Sequence, residues 1–206
     1  MKKFLSTVWE FAKMFLLALA IIIPIRYFLI QPFYVKGASM EPNFHDNEYL
    51  IVNEIGYRFS SPQRGDIIVF RYPKDPTQYF IKRIIGLPGE TVRVGLDGNV
   101  YIGKPGQAPT EKIDEPYLAA GTETLPHDSS EDQIVTLDSN SYFVMGDNRL
   151  ESLDSRSFGP LNRGFIVGQV VFRGWPFDKM TVFKTLSYTY SENAGINAAT
   201  STVPGK

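Results

Sequence analysis

The 206-residue sequence contains no cysteine and only two histidines, His45 and His127. The first absence removes thiol nucleophiles, disulfides and thiolate metal sites together. The second leaves little from which to build a serine–histidine relay, because neither histidine stands in a stretch patterned around it. Excess charge is also lacking: 21 Lys and Arg against 22 Asp and Glu leave a net charge of −1, which argues against a nucleic-acid partner. There is no internal repeat and, after residue 40, no helical apolar period of useful length. Long apolar runs are scarce. The densest, Met14 to Ile25, has twelve residues without a charge. As a helix it rises about 18 Å, short of a hydrocarbon core of about 30 Å.

Extended back to Phe4, with the stem of Lys13 snorkelling and Glu10 near the headgroups, that run becomes long enough to span. A cleavable leader is the rival reading, since Ala18-Leu19-Ala20 has a small-x-small pattern. Ile21-Ile22-Ile23 follows at once, which puts the triplet inside the run, so a retained anchor over residues 1–30 is expected. Lys2, Lys3 and Lys13 before the run, against Arg26 and Lys36 after it, point the N-terminus to the cytoplasm. The aromatic stretch Tyr27 to Val35, broken by Pro32, reads equally as an interfacial belt or as a first core strand.

From Glu48 onward the pattern changes to short β-type runs: Tyr49–Val52, Asp66–Phe70, Tyr79–Ile85, Thr91–Val94, Val100–Ile102, Ile134–Leu137, Tyr142–Met145 and Phe165–Arg173. Turn signals such as Ser61-Pro62, Tyr72-Pro73, Leu87-Pro88-Gly89 and Asp97-Gly98-Asn99 separate them. Pro105 to Asp132 is a long polar stretch, of the kind that is functional or decorates an inserted lobe. The expected fold is mainly β. An N-terminal transmembrane helix precedes an antiparallel β-sheet domain over 31–184, with a smaller inserted lobe at about 96–140. A small, polar and disordered tail over 185–206 ends it.

Two residues stand out chemically. Ser39 lies in Gly37-Ala38-Ser39-Met40-Glu41-Pro42, just beyond the apolar run, and a serine nucleophile needs a base. Lys82 lies in Tyr79-Phe80-Ile81-Lys82-Arg83-Ile84-Ile85, where strand alternation puts it on one face with Phe80 and Ile84. Apolar surroundings lower a lysine's pKa and free its amine near pH 7. Taken singly, Ser39 reads as a turn hydroxyl and Lys82 as an edge-strand lysine with its head in water.

Together with their neighbours they read differently. Ser39-Met40-Glu41-Pro42, Arg64-Gly65-Asp66-Ile67-Ile68-Val69-Phe70, Lys82-Arg83-Ile84-Ile85-Gly86-Leu87-Pro88-Gly89-Glu90 and Gly146-Asp147-Asn148-Arg149-Leu150-Glu151-Ser152-Leu153-Asp154-Ser155-Arg156 resemble, in order, the motif series of bacterial type I signal peptidases. The resemblance implies a Ser–Lys dyad in the β-sheet domain, with Ser39 as nucleophile and Lys82 as general base. It implies that Ser152 orients the lysine amine and that the Ser39 backbone N–H helps bind the oxyanion. Arg83 with Asp147, and Asp154 with Arg156, would brace the site by ion pairs. Gly37 stands where many members carry a serine whose hydroxyl also binds the oxyanion, so the second donor is open. Asn43 stands for a common threonine and Glu90 for a common aspartate.

The resemblance also implies exported preproteins with an Ala-x-Ala type cleavage site as substrates. Met40, Phe33, Ile84 and Met145 are the candidate lining of shallow pockets beside Ser39. A single-pass location in the cytoplasmic membrane is implied, with the catalytic domain extracytoplasmic and lipid as a partner. No metal or organic cofactor is called for. A self-cleaving Ser–Lys protease like the SOS repressors fits less well, given the anchor and the near-zero charge. A Ser-x-x-Lys site is absent at this serine, because Pro42 holds the third position after it. A tethered β module that binds a partner through Pro105–Asp132 is the non-enzymatic alternative.

Overall fold

The computed structural model describes residues 2–28, 30–128, 130–183, 185 and 190–192. Helix α1, Lys2–Phe28, opens the chain and is built mainly from Ala, Leu, Ile, Met and Phe. Beyond it the chain is mostly β structure, in two antiparallel sheets. The strands are β1 (Ile30–Tyr34), β2 (Tyr49–Asn53), β3 (Ile67–Tyr72), β4 (Asp75–Gly86), β5 (Thr91–Val94), β6 (Val100–Gly103), β7 (Glu111–Ile113), β8 (Gln133–Thr136), β9 (Ser141–Met145), β10 (Leu161–Asn162), β11 (Ile166–Trp175), β12 (Thr181–Val182) and β13 (Tyr190–Glu192). The larger sheet runs β1-β2-β11-β3-β4-β9-β10, with β12 on β11, and the smaller runs β13-β7-β6-β5-β8. Two one-turn helices, Gly56–Phe59 and Ser155–Phe158, interrupt the connections.

Alternation along β3 explains how the larger sheet is covered. Ile67 and Val69 face a core with Val35, Met40, Phe44, Leu50 and Val170. Ile68 and Phe70 face another with Ile84, Tyr142, Val144 and Leu161. Both faces are buried, which is why the strand reads as an unbroken apolar run. The hairpin from β3 to β4 closes over Pro73 and Lys74, with Tyr72 opposite Asp75. A third core lies between the sheets: Ile85, Phe143 and Met145 from the larger pack against Val92, Val94, Val100, Ile102 and Ile113 from the smaller.

Several expectations are revised. The aromatic stretch before Ser39 contributes an edge strand: β1 pairs with β2 from Ile30 opposite Asn53 to Tyr34 opposite Tyr49. Pro32 is tolerated there because an edge strand has donors to spare. The smaller sheet begins at Thr91, ahead of the expected lobe boundary at 96, because β5 is the strand that pairs with both β6 and β8. The polar stretch 105–132 is not one loop, since it holds β7. Residues 190–192, expected in a disordered tail, add β13 to β7; residues 193–206 lie outside the described residues. Among the described residues no helix is long and apolar enough to cross a membrane. In α1 the ion-paired Lys13 and Glu10 interrupt the apolar side chains before Met14.

Phe143 is fully buried in the core shared by the sheets. Phe143→Ala is expected to lower the unfolding free energy by about 3–5 kcal/mol in urea denaturation. A loss under about 1 kcal/mol would mean that the sheets do not share this core.

Candidate active site

Ser39 sits in a turn that the core holds from below. Glu41 N–H donates to the Ala38 carbonyl at 3.0 Å and Phe44 N–H to the Met40 carbonyl at 2.9 Å. The Met40 and Phe44 side chains are buried beneath. Gly37, at φ +98°, turns the chain out of the extended segment after β1, in a region where a side chain would be strained. Its N–H is committed to Asp46 Oδ1 at 2.8 Å. From the opposite side Asn148 grips the turn: its N–H donates to the Ser39 carbonyl at 3.1 Å and its Nδ2 to the Ala38 carbonyl at 3.2 Å.

Lys82 reaches this turn from β4. Its Nζ lies 2.7 Å from Ser39 Oγ and 2.8 Å from the Ile81 carbonyl, and 5.4 Å from the centre of the Phe80 ring. The residue is only 3% exposed, so water cannot solvate the ammonium. Burial pushes the amine down to about 8, against the pull of the Asp154 and Asp147 carboxylates. Each of those carboxylates is itself paired with an arginine. Arg83 Nε and Nη2 bond the two oxygens of Asp147 at 2.9 and 2.6 Å, and Asn43 Nδ2 adds a third bond at 2.8 Å. Arg156 Nε and Nη2 bond the two oxygens of Asp154 at 3.0 and 2.9 Å. Burial raises the Asp154 carboxyl, but the bonds and charge of Arg156 prevail and hold it below its ordinary range.

The expected brace residues therefore converge, and Ser152 does so only in part. Its hydroxyl is buried without a well-formed hydrogen bond, although it stands near enough to Asp154 to help hold that carboxyl down. The second bond of Lys82 goes to a main-chain carbonyl instead. Gly146 sets the approach. A Cβ there would stand 2.3 Å from both Ser152 Oγ and the Ser39 carbonyl oxygen, so only glycine lets these three segments meet. Strand β9 ends at Met145, opposite Arg83, and the chain leaves the sheet at Gly146 just where Ser39 and Lys82 need room.

A cavity of about 330 Å³ opens beside Ser39 and Lys82, lined by Phe33, Val35, Leu50, Val69, Ile81 and Leu153 among others. Of the four residues expected to line it, only Phe33 does. Met40, Ile84 and Met145 are buried in the cores, because their strand and turn positions point them inward. The two histidines are elsewhere: His45 faces Glu41 and His127 faces Ser157 Oγ. Among the described residues no group of three or more His, Asp or Glu is arranged to hold a metal.

For other contributors the sequence named no partner. Arg149, fully buried, bonds Glu115 of the smaller lobe across 34 positions. Arg64 bonds Glu90, which in turn accepts from Leu87 N–H at 2.8 Å and shapes the turn after β4. Asn43 was noticeable only as a departure from a family residue, yet it links the serine turn to Asp147.

Residues 8–175 match the family described as signal peptidase, peptidase S26. The chain is 38% identical over 180 residues to a signal peptidase I of Bacillus amyloliquefaciens, covering 85% of this chain and 89% of that protein. It is 38% identical over 184 residues to signal peptidase I T of Bacillus subtilis, covering 87% and 91%. To signal peptidase IB of Staphylococcus aureus it is 35% identical over 176 residues, covering 79% and 86%.

The Lys82 environment makes a prediction about stability. Its folded value of about 8 lies below the ordinary 10.5. Between them the unfolded chain holds a proton that the folded chain has released, so the unfolding free energy gains an upward slope with pH in that window. Urea denaturation across the window is expected to show that contribution in the wild type and to lose it in Lys82→Met. Equal slopes in the two proteins would show that the amine is not desolvated.

Proposed function

The chain is a serine endopeptidase that belongs to the signal peptidase family, peptidase S26, and from that premise we propose that it removes N-terminal signal peptides from exported preproteins by Ser–Lys chemistry. The observation that carries the dyad reading is the 2.7 Å contact between a buried lysine amine and a serine hydroxyl. In the reactive state the amine is neutral and the Ser39 hydroxyl donates to it. Lys82 takes that proton as Ser39 Oγ bonds to the scissile carbonyl carbon. The oxyanion that forms is met by the Ser39 backbone N–H. Gly37 brings no hydroxyl and its N–H is already bonded, so any further donor comes from another group. Collapse breaks the C–N bond, Lys82 returns the proton to the leaving amine, and the acyl group stays on Ser39. A water then gives its proton to Lys82 as it attacks the ester carbon, and collapse breaks the C–Oγ bond while Lys82 returns that proton to Ser39 Oγ, restoring the hydroxyl and the neutral amine.

The ion pairs act by subtraction. Arg83 and Arg156 neutralise two carboxylates that would otherwise keep Lys82 protonated. Ser152 is the proposed orienting group, its buried hydroxyl being available for the lysine once substrate is bound. The apolar cavity beside Ser39 suits small uncharged side chains before the cleaved bond. Helix α1 is the proposed tether to the cytoplasmic membrane. Phe4, Val8, Trp9, Phe11, the run Met14–Leu17 and Ile21–Ile23 are each more than half exposed, an apolar surface that lipid would cover. A catalytic domain held outside that membrane meets preproteins whose own apolar segment lies in it.

The test is the full chain in detergent with a preprotein bearing an Ala-x-Ala site. Ser39→Ala and Lys82→Met are each expected to cut turnover by about 10⁴-fold or more while the far-UV spectrum is kept. In the wild type kcat/KM is expected to rise with pH through about 8 and then level, as Lys82 loses its proton. A profile that stays flat into acid, or cleavage that survives Lys82→Met, would remove Lys82 as the base.

A further inference from the structure

The segment after β7 touches all three parts of the site. The Tyr117 carbonyl accepts from Asn43 Nδ2 at 2.8 Å, on the serine turn. The Tyr117 ring lies against the Arg83 guanidinium, 3.9 Å from its centre, next to Lys82 in β4. Glu115 bonds Arg149 through both oxygens, the contacts being 3.0 and 2.5 Å. Arg149 Nε in turn donates to the Gly146 carbonyl at 3.0 Å, and its Nη1 also meets Thr124 Oγ1. Gly146 and Asn148 belong to the loop that packs on the Ser39 turn and bonds it.

This arrangement is costly unless it holds something. Burial works against the charge of Arg149, and Glu115, Tyr117 and Asp147 together outweigh it. A buried ion pair is weak evidence for stability, since hydrophobic replacements often do as well. Its geometry does, however, fix a loop: a planar guanidinium with its fork on one carboxylate and its Nε on a main-chain carbonyl leaves that carbonyl one orientation.

We propose that Glu115 and Tyr117 of the smaller lobe are positioning residues that, through Arg149, Arg83 and Asn43, clamp the 146–148 loop and the Ser39 turn so that Ser39 Oγ is held against Lys82 Nζ. This rests on the peptidase reading above and gives the polar stretch 105–132 a role in it. The clamp sets the distance on which proton transfer depends, so its loss falls on the chemical step and leaves substrate binding in the apolar cavity alone.

The experiment compares Glu115→Gln, Arg149→Lys and the milder Thr124→Val in the full chain. Arg93→Met, which breaks the Arg93–Asp132 pair elsewhere in the lobe, is the control. Glu115→Gln and Arg149→Lys are expected to lower kcat roughly ten- to hundred-fold with KM within about twofold. Thr124→Val is expected to lower kcat less, and Arg93→Met to leave it unchanged. Hydrogen exchange gives a second readout that needs no turnover. The Asn148 amide, bonded to the Ser39 carbonyl, is expected to exchange faster in Glu115→Gln while the β3 and β4 amides keep their protection. Unchanged kcat in the folded variants, or equal Asn148 protection, overturns the clamp. Should Glu115→Gln not fold, Thr124→Val with kcat and Asn148 exchange both at wild-type values does the same. If the wild type itself cleaves no preprotein, it is the peptidase reading that fails, and the exchange result still decides the clamp.

Discussion

A lysine amine gives up its proton near neutrality only when water is kept from it, and the site can be understood as the set of conditions this requires. Lys82 is desolvated by the larger sheet on which it lies and by the Ser39 turn laid over it. Two carboxylates close enough to be felt would reverse that effect if left bare. Each is instead engaged through both oxygens by an arginine, Arg83 on Asp147 and Arg156 on Asp154. The ion pairs thus work by removing a field. This accounts for charged residues in a place where burial alone would exclude them.

The second condition is proximity. Ser39 and Lys82 belong to segments with no hydrogen-bonded strand pairing between them, so their separation is set by what packs around both. Met40 and Phe44 pin the serine turn to one face of the larger sheet. Asn148 holds it from the other side, on a loop that can come close only because residue 146 is glycine. The smaller sheet is joined to the larger by a shared core through Ile85 and Phe143, which gives Glu115 and Tyr117 a rigid base from which to reach the same loop. What reads in sequence as an insertion packs, in space, against Arg83, Asn43 and Arg149 behind the site.

Much of this was legible from residues and their order. The missing cysteine and the two unpatterned histidines left lysine as a candidate base for Ser39, and the apolar neighbours of Lys82 explained how it could serve. The alternating and continuous apolar runs located β2, β3, β4, β9 and β11 of the larger sheet, because a two-residue period leaves a local trace. The four ordered blocks, through the resemblance they carry, named Ser152 and paired Arg83 with Asp147 and Asp154 with Arg156, and both ion pairs are present.

The remainder needed the fold. Met40, Ile84 and Met145 have the composition of a pocket lining but face the cores, since the side a residue takes depends on register and on where its strand ends. The pairing of Glu115 with Arg149 spans 34 positions, and that of Asn43 with Asp147 spans 104. No periodicity links such residues, because their partners are chosen by how two sheets pack. The sequence by itself determined which reactive groups are on offer and which of them sit among apolar neighbours, since side-chain type and apolar patterning are local properties. Which groups meet, at what distance and in how much water were decided by tertiary structure alone, because those depend on the path of the backbone between them.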